Sequence, residues 1–237
     1  EICACLVGSE MCIRDRTTVV EYNPIDGVGA SHEMNTTGKK GTAKVQGVPG
    51  LFKNPSNQFL PTTDWDWTID PMGIRMCCRE ITSRYDLPIV ISENGLGAFD
   101  KFEDGKIHDP YRIDYLKRHV EELKKACDDG CRVLAYCTWS YTDLLSWLNG
   151  YQKRYGFVYV DREEDENSGT LNRIPKDSYY WYKANWSKEP VLYLTQRRNA
   201  DRERKQTSVT VYSNIGTPIV YLNGKELTGI RKGYTDV

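Results

Sequence analysis

The order of apolar segments predicts an α/β fold built on a parallel sheet. Three observations carry that expectation. Two short continuous apolar runs, PIVIS at residues 88–92 and RVLAYCT at residues 132–138, read as strands buried on both faces. Between them lies the clearest amphipathic helix of the chain. A further helix precedes the first run. Helix, strand, helix, strand in that order marks a parallel sheet, because parallel neighbours need a crossover connection.

Each element has its own local reason. Asp70-Pro71 opens the first helix, with Asp at the cap and Pro in the first turn. Its apolar positions are Met72, Ile74, Met76, Cys77 and Ile81. Asp109-Pro110 opens the second, where Ile113, Leu116, Val120, Leu123 and Cys127 follow the i, i+3, i+4, i+7 spacing. Glu121, Glu122, Lys124 and Lys125 fill much of its other face, and Gly130 ends it as a C-cap. Residues 157–160 add a short strand, and residues 176–185 an aromatic-rich helix. Residues 30–63, rich in Gly, Asn, Thr and Pro, read as a long loop.

The patterning changes near Lys188. Residues 208–212 alternate polar and apolar, and residues 218–222 lead into Asn223-Gly224, a strong hairpin signal. These features predict the start of a small antiparallel β unit over residues 188–237. The basic run at residues 197–205 reads as a solvated loop. Residues 1–16, EICACLVGSEMCIRDR, show neither a helical nor a strand period. They resemble translated adapter DNA and stand outside the fold argument. The expected organisation is therefore a non-native 1–16, an α/β portion at 17–187 and a partial antiparallel β unit at 188–237.

Composition excludes several classes. The 32 basic and 33 acidic residues leave a formal net charge of -1, which points to neither nucleic acid nor an anionic membrane as the main partner. No apolar run approaches the roughly 20 residues that span a bilayer. No basic segment followed by an apolar one marks a secretory signal. The eight cysteines are irregularly spaced, and Cys127 and Cys131 lack a second metal-ligand pair. Reduced, partly buried thiols are the expectation, which suits a cytoplasm. The 16 Tyr and 6 Trp fill a core, and some suit the flat apolar face of a sugar ring.

The segment with most chemistry is ISENGLGAFD, residues 91–100. It puts Glu93 at the C-terminal end of a buried strand just before a glycine turn, where α/β barrels hold their reacting groups. A carboxylate after a strand is by itself more often a surface residue.

The surrounding text carries a resemblance. ISENGLGAFD resembles the nucleophile motif of glycoside hydrolase family 1, and DPYRIDYLKRHV resembles the helix that follows it there. AYCTWSYTDLLSWLNGYQKRYGFVYVDRE is similar to the family's last barrel strand and its loop, and LNRIPKDSYYWYK to its closing helix. The resemblance implies the C-terminal part of a (β/α)8 TIM barrel, with its last two strands present and a trace of the one before at residues 17–22. It implies retaining hydrolysis of β-glycosidic bonds by two carboxyl groups. Glu93 is then the nucleophile. The acid/base Glu of the family belongs to a Thr-Asn-Glu-Pro-like motif on an earlier strand, and this chain has no such motif. The chain alone is therefore expected to be inactive, and its open strand edges to favour aggregation.

The same resemblance assigns binding residues. Trp139 matches the tryptophan under the glycone. Plain β-glucosidases of the family carry Glu-Trp in the next loop, where this chain has Ser146-Trp147. With Lys153 and Tyr155, Ser146 resembles the phosphate clamp of the 6-phospho-β-glycosidases. A carboxylate at 146 would repel a phosphate dianion, and Lys153 would attract it. Trp147 resembles the galactoside branch but leaves gluco against galacto open. The implied partner is a small sugar or sugar phosphate, with no metal or organic cofactor. Sugars phosphorylated on import imply a cytoplasmic enzyme. The rival readings are a β-glucosidase or β-galactosidase acting on unphosphorylated sugars, and a non-catalytic carbohydrate-binding piece. WYKANWSKEPVLYL and VTVYSN with VYLNGKEL resemble the barrel end and following β-sandwich of family 2 β-galactosidases. The stretch around residues 178–181 then reads as a join of two unrelated genes or as a real fusion.

Overall fold

The computed structural model of the chain describes residues 17–29, 34–43, 47–103, 105–162, 169–195, 209–229 and 231. The readings made for residues 1–16 and 197–205 lie outside these, as do residues 30–33 and 44–46 of the long loop.

The expected helix, strand, helix, strand order is present. Helix α1 spans Pro71–Tyr85 and leads to the strand Ile89–Asn94. Helix α2 spans Pro110–Asp128 and leads to the strand Val133–Thr138. The two strands pair in parallel, from Ile89 opposite Val133 to Asn94 opposite Thr138. Ile74 and Cys78 of α1, Leu123 and Ala126 of α2, and Ile89 and Ile91 of the sheet form one core. A second core joins Leu96, Tyr115, Leu116 and Phe157 to Trp181 of helix α3, Asp177–Trp186.

The helix registers differ from the apolar pattern. In α1, Met72 and Met76 are 59% and 56% exposed, whereas Pro71, Ile74 and Cys78 are buried. In α2 the buried face is Arg112, Tyr115, Leu116, His119, Leu123 and Ala126, and Cys127 is exposed. Two polar residues share this face because each finds a buried partner. Arg112 meets two aspartates, and His119 Nδ1 lies 2.7 Å from the Tyr115 carbonyl oxygen. Neither Asp70 nor Asp109 caps its own helix through its side chain. Asp70 accepts from Thr17, and Asp109 accepts from Ser178 and Arg112, which outbid the local N–H groups. Helix α2 does end as expected. Gly130, at φ +94°, and Cys131 donate to the carbonyls of Cys127 and Ala126, a Schellman closure.

Residues 17–22 do not add a strand to the parallel sheet. Glu21–Tyr22 instead pairs antiparallel with Phe52–Lys53, which also pairs with Gly47–Val48. A stretch this short follows whichever edge is closest, and the loop folds its own hairpin beside it. Val158–Val160 pairs with Arg173–Pro175 and brings the chain to α3.

Beyond α3, Leu192–Leu194 pairs antiparallel with Val211–Ser213. Tyr221–Leu222 and Lys225–Glu226 form the expected hairpin, with Asn223 at φ +50° and Gly224 at φ +81°. The first of these pairs packs on α3. Tyr193 stacks on Tyr180 at 3.6 Å between ring centres, and its hydroxyl donates to Asp177 at 3.2 Å. No helix among the described residues is long and apolar enough to cross a membrane.

Candidate active site

Glu93 is half-buried and lies one residue from the C-terminal end of its strand. Its placement is set by its neighbours. Asn94 is buried; its amide donates to the Tyr115 hydroxyl at 3.2 Å, and its carbonyl side-chain oxygen accepts from Tyr136 at 2.8 Å. One side chain therefore ties the strand end to α2 and to the neighbouring strand. Trp139 N–H donates to the Asn94 backbone oxygen at 2.8 Å, so Glu93 and Trp139 stand at the C-terminal ends of adjacent parallel strands. Gly95 permits that approach, since a Cβ there would lie 1.7 Å from the Trp139 oxygen. Trp139 is 37% exposed, and its bond to Ser140 is cis.

The loop after Glu93 is fastened to the loop after Trp139. Ala98 and Arg154 exchange backbone hydrogen bonds at 2.9 Å in both directions. Lys153 passes beneath Gly97, where a Cβ would meet Lys153 Cε at 2.5 Å and Tyr155 Cε1 at 2.8 Å. Lys153 is 1% exposed, and its ammonium sits among the rings of Trp67, Trp65 and Tyr155. The structure thus brings Lys153 and Tyr155 together.

Ser146 occupies a separate turn. Its backbone exchanges hydrogen bonds with Gly150 at 3.1 and 2.8 Å, and its hydroxyl accepts from Asn149 at 3.2 Å. Trp147 in that turn is 99% exposed. A cavity of about 450 Å³ opens nearby, lined by Thr138, Tyr141, Phe157, Tyr182, Trp186 and Glu189 among others. It is lined by none of Glu93, Trp139, Ser146, Trp147, Lys153 and Tyr155. A barrel mouth is walled by the loops of eight strands, and two parallel strands do not enclose one.

Beneath these loops lies a buried ionic cluster that the apolar pattern did not disclose. Arg112 reaches Asp109, Asp100 at 3.0 Å and the Arg154 carbonyl at 3.0 Å. Lys176 reaches Asp100, and Asp143 at 2.7 Å. Asp143 also accepts from Gly156 N–H at 2.8 Å and lies 3.5 Å from Arg154. Three carboxylates, Asp100, Asp109 and Asp143, balance three cations, Arg112, Arg154 and Lys176. Burial would raise the Asp100 carboxyl, but Arg112 and Lys176 together hold it below the usual carboxylate range. Burial wins at Asp109 and pushes its carboxyl up against the opposing pull of Arg112 and Ser178. Burial, joined by repulsion from Arg112, lowers the Lys176 ammonium. The one sequence signal for this cluster was charge inside otherwise apolar elements, such as Arg112 on the buried side of α2.

Comparison with known proteins gives a family for this arrangement. The sequence model of glycosyl hydrolase family 1 matches residues 16–189. The aryl-phospho-β-D-glucosidase BglC of Bacillus subtilis is 58% identical over 167 residues, 70% of this chain and 35% of that protein. The 6-phospho-β-galactosidase of Leptotrichia buccalis is 44% identical over 151 residues, 63% of this chain and 31% of that one. Among solved structures, a family 1 β-glucosidase from Thermotoga maritima superposes with a TM-score of 0.54 at 31% identity, covering 70% of this chain and 32% of that one. A β-glucosidase from Thermotoga maritima in complex with castanospermine gives 0.51 at 35% identity, over 58% of this chain and 30% of that one. The chain spans about a third of the length of these relatives. With the matched region covering both parallel strands, α1 to α3 and the loops that carry Glu93 and Lys153, the chain belongs to glycosyl hydrolase family 1.

Proposed function

We propose that this chain supplies the nucleophile side of a retaining β-glycosidase acting on 6-phospho-β-glucosides or 6-phospho-β-galactosides. The observation that carries the reading is Glu93 at the C-terminal end of a parallel strand, beside Trp139 on the next strand, within the region that matches the family. Relatives named as phospho-β-glucosidase and phospho-β-galactosidase support the phosphorylated substrate.

In this reading the Glu93 carboxylate attacks the anomeric carbon and forms a glycosyl ester, while a second carboxylic acid protonates the departing oxygen. Water activated by that second group then releases the sugar with its configuration retained. The two carboxyls must stand about 5–5.5 Å apart. The second comes from a part of the barrel outside this sequence, so residues 17–187 act once joined to it. Trp139 supports the glycone face. Ser146, Lys153 and Tyr155 take the 6-phosphate, with Trp147 at the same rim. The phosphate is a dianion and gains charge-assisted hydrogen bonds from Lys153. Such substrates arise where sugars are phosphorylated on entry, which places the enzyme in the cytoplasm. Residues 188–237 are read as the opening of an antiparallel β-sandwich.

The test is a fusion of the unmatched N-terminal part of BglC to residues 17–187 of this chain, assayed with nitrophenyl 6-phospho-β-glucoside and its galactoside. Turnover that disappears in Glu93→Gln is expected. Lys153→Ala should raise KM for the phosphorylated substrate alone. Full turnover with Glu93→Gln would refute the nucleophile assignment, and an equal loss on phosphorylated and plain substrates would refute the clamp.

A further inference from the structure

Besides Tyr155, the side chain of Lys153 is held from two directions by groups that the phosphate reading does not name. Its Nζ lies 3.6 Å from the centre of the Trp67 ring, 4.8 Å from Trp65 and 5.6 Å from Tyr155. The indoles come from the segment before α1, far away in sequence, and a tight turn presents them. The backbone N–H groups of Trp65 and Trp67 both donate to the Thr63 hydroxyl at 3.2 Å, and the backbone N–H of Thr63 donates to the Trp67 carbonyl at 2.8 Å. Across the stem, the bare backbone of Gly97 leaves the space that Lys153 Cε occupies.

We infer that Trp65, Trp67 and Gly97 are positioning residues for the Lys153 ammonium, and that they set the preference for a substrate carrying a phosphate monoester over the same sugar without it. The inference rests on Lys153 as the phosphate contact. A lysine has four rotatable bonds and a strongly hydrated head, so an anion that binds it must first order the stem and strip water. Ring faces attract the ammonium through their quadrupoles and fix where it sits. Their apolar surface also lowers the local dielectric, which strengthens the pull on a dianion far more than on a neutral hydroxyl. The ordering is done before the substrate arrives, and only the charged substrate gains from it.

The test uses the full chain, with glucose 6-phosphate and glucose as probes and NMR of the lysine ε-methylenes as one readout. The lysine ε-protons displaced furthest upfield should be those of Lys153, beyond those of Lys106 over the single Tyr193 ring, and Lys153→Ala should remove that signal together with glucose 6-phosphate binding. Trp67 is half-buried and its replacement does not empty a core. Trp67→Leu should lose most of the displacement and weaken glucose 6-phosphate about tenfold, part of the roughly thirtyfold that a lysine's rotamer freedom represents, with glucose unchanged. Trp67→Phe keeps a ring face and should restore most of both. Gly97→Ala should weaken glucose 6-phosphate as Trp67→Leu does, by crowding the stem from the other side. If Trp67→Leu and Gly97→Ala bind glucose 6-phosphate as tightly as the parent while Lys153→Ala does not, the positioning role is overturned and the phosphate contact stands. If Lys153→Ala binds as the parent does, both fall.

Discussion

Replacing Lys176 by Met would unbalance a set of buried charges while keeping nearly the same volume. Lys176 is fully buried between Asp100 and Asp143. Without it, Asp100 retains Arg112 at 3.0 Å and the Tyr111 hydroxyl at 2.6 Å. Asp143 retains the Gly156 N–H at 2.8 Å and only a distant Arg154 at 3.5 Å. Asp143 therefore suffers most. Removing one partner of a buried pair costs about 3–5 kcal/mol, a large share of the roughly 5–15 kcal/mol that holds a domain folded. With a urea m-value of about 2 kcal/mol/M, the unfolding midpoint should fall by about 2 M. Tryptophan fluorescence reports it, since Trp181 lies in the adjoining core. Adding Asp143→Asn should recover more than half of the loss. The pH dependence has a definite sign. In the parent the Asp100 carboxyl sits below its usual range, so its contribution is present at neutral pH and fades as pH falls below about 4. In Lys176→Met, Asp100 loses one of the two cations that hold its carboxyl down, so less of that contribution remains and the deficit should be greatest at neutral pH and shrink on acidification. A loss below about 1 kcal/mol at pH 7, or further destabilisation by Asp143→Asn, would refute the view that this cluster is a desolvated, balanced set.

Two further substitutions probe the frame around Glu93 and the packing of the tail. Gly95→Ala would push a Cβ to within 1.7 Å of the Trp139 carbonyl, a backbone atom that cannot swing aside. It should cost about 1–3 kcal/mol in urea unfolding and, in the BglC fusion, lower kcat/KM; unchanged stability would mean that the strand ends are not held this close. Tyr193→Phe keeps the stack on Tyr180 but removes the bond to Asp177 and the acceptor for Lys106, which lies 2.9 Å away. About 1 kcal/mol should be lost per bond, and no change in thermal midpoint would show that Leu192–Leu194 does not bear on α3.

The elements that announced themselves did so through contrasts in apolar content. The two runs at 88–92 and 132–138, the Pro that opens each of α1 and α2, and Gly130 all mark places where one local rule dominates. Asn223-Gly224 gave its hairpin for the same reason, because both residues accept φ above zero. What stayed hidden was partnership across the chain. Arg112 and His119 break the helical stripe, and only the fold reveals that Asp100 and Asp109 meet one and the Tyr115 carbonyl the other. The two cap aspartates show the converse, since a residue suited to a local role was drawn to a stronger distant one. At the candidate site, Glu93, Trp139 and Lys153 were legible as motif positions. Asn94 was not, because its service is to hold Tyr115 and Tyr136 together, and nothing near it in sequence shows either.

The geometry has a consequence for how much of the site this segment brings with it. A reacting carboxylate must be held within about 0.5 Å of its productive place. Several restraints on the strand end that bears Glu93 arise between residues 88 and 178, and Ile74 and Cys78 of α1 pack against the same strand. Asn94 anchors it to α2 and the neighbouring strand, Gly95 lets Trp139 close over it, and Ala98 fastens the following loop to Arg154. The ionic cluster then fixes both loops from beneath, because Asp100 lies on the first, Asp143 and Arg154 on the second, and Lys176 and Ser178 at the start of α3. On the reading of Glu93 as nucleophile, the rest of the barrel need not shape this side of the site. It must supply the proton donor, the remaining wall and partners for the two open strand edges. That division explains how a segment covering a third of its relatives' length can carry supports for one carboxylate while the other comes from elsewhere in the barrel.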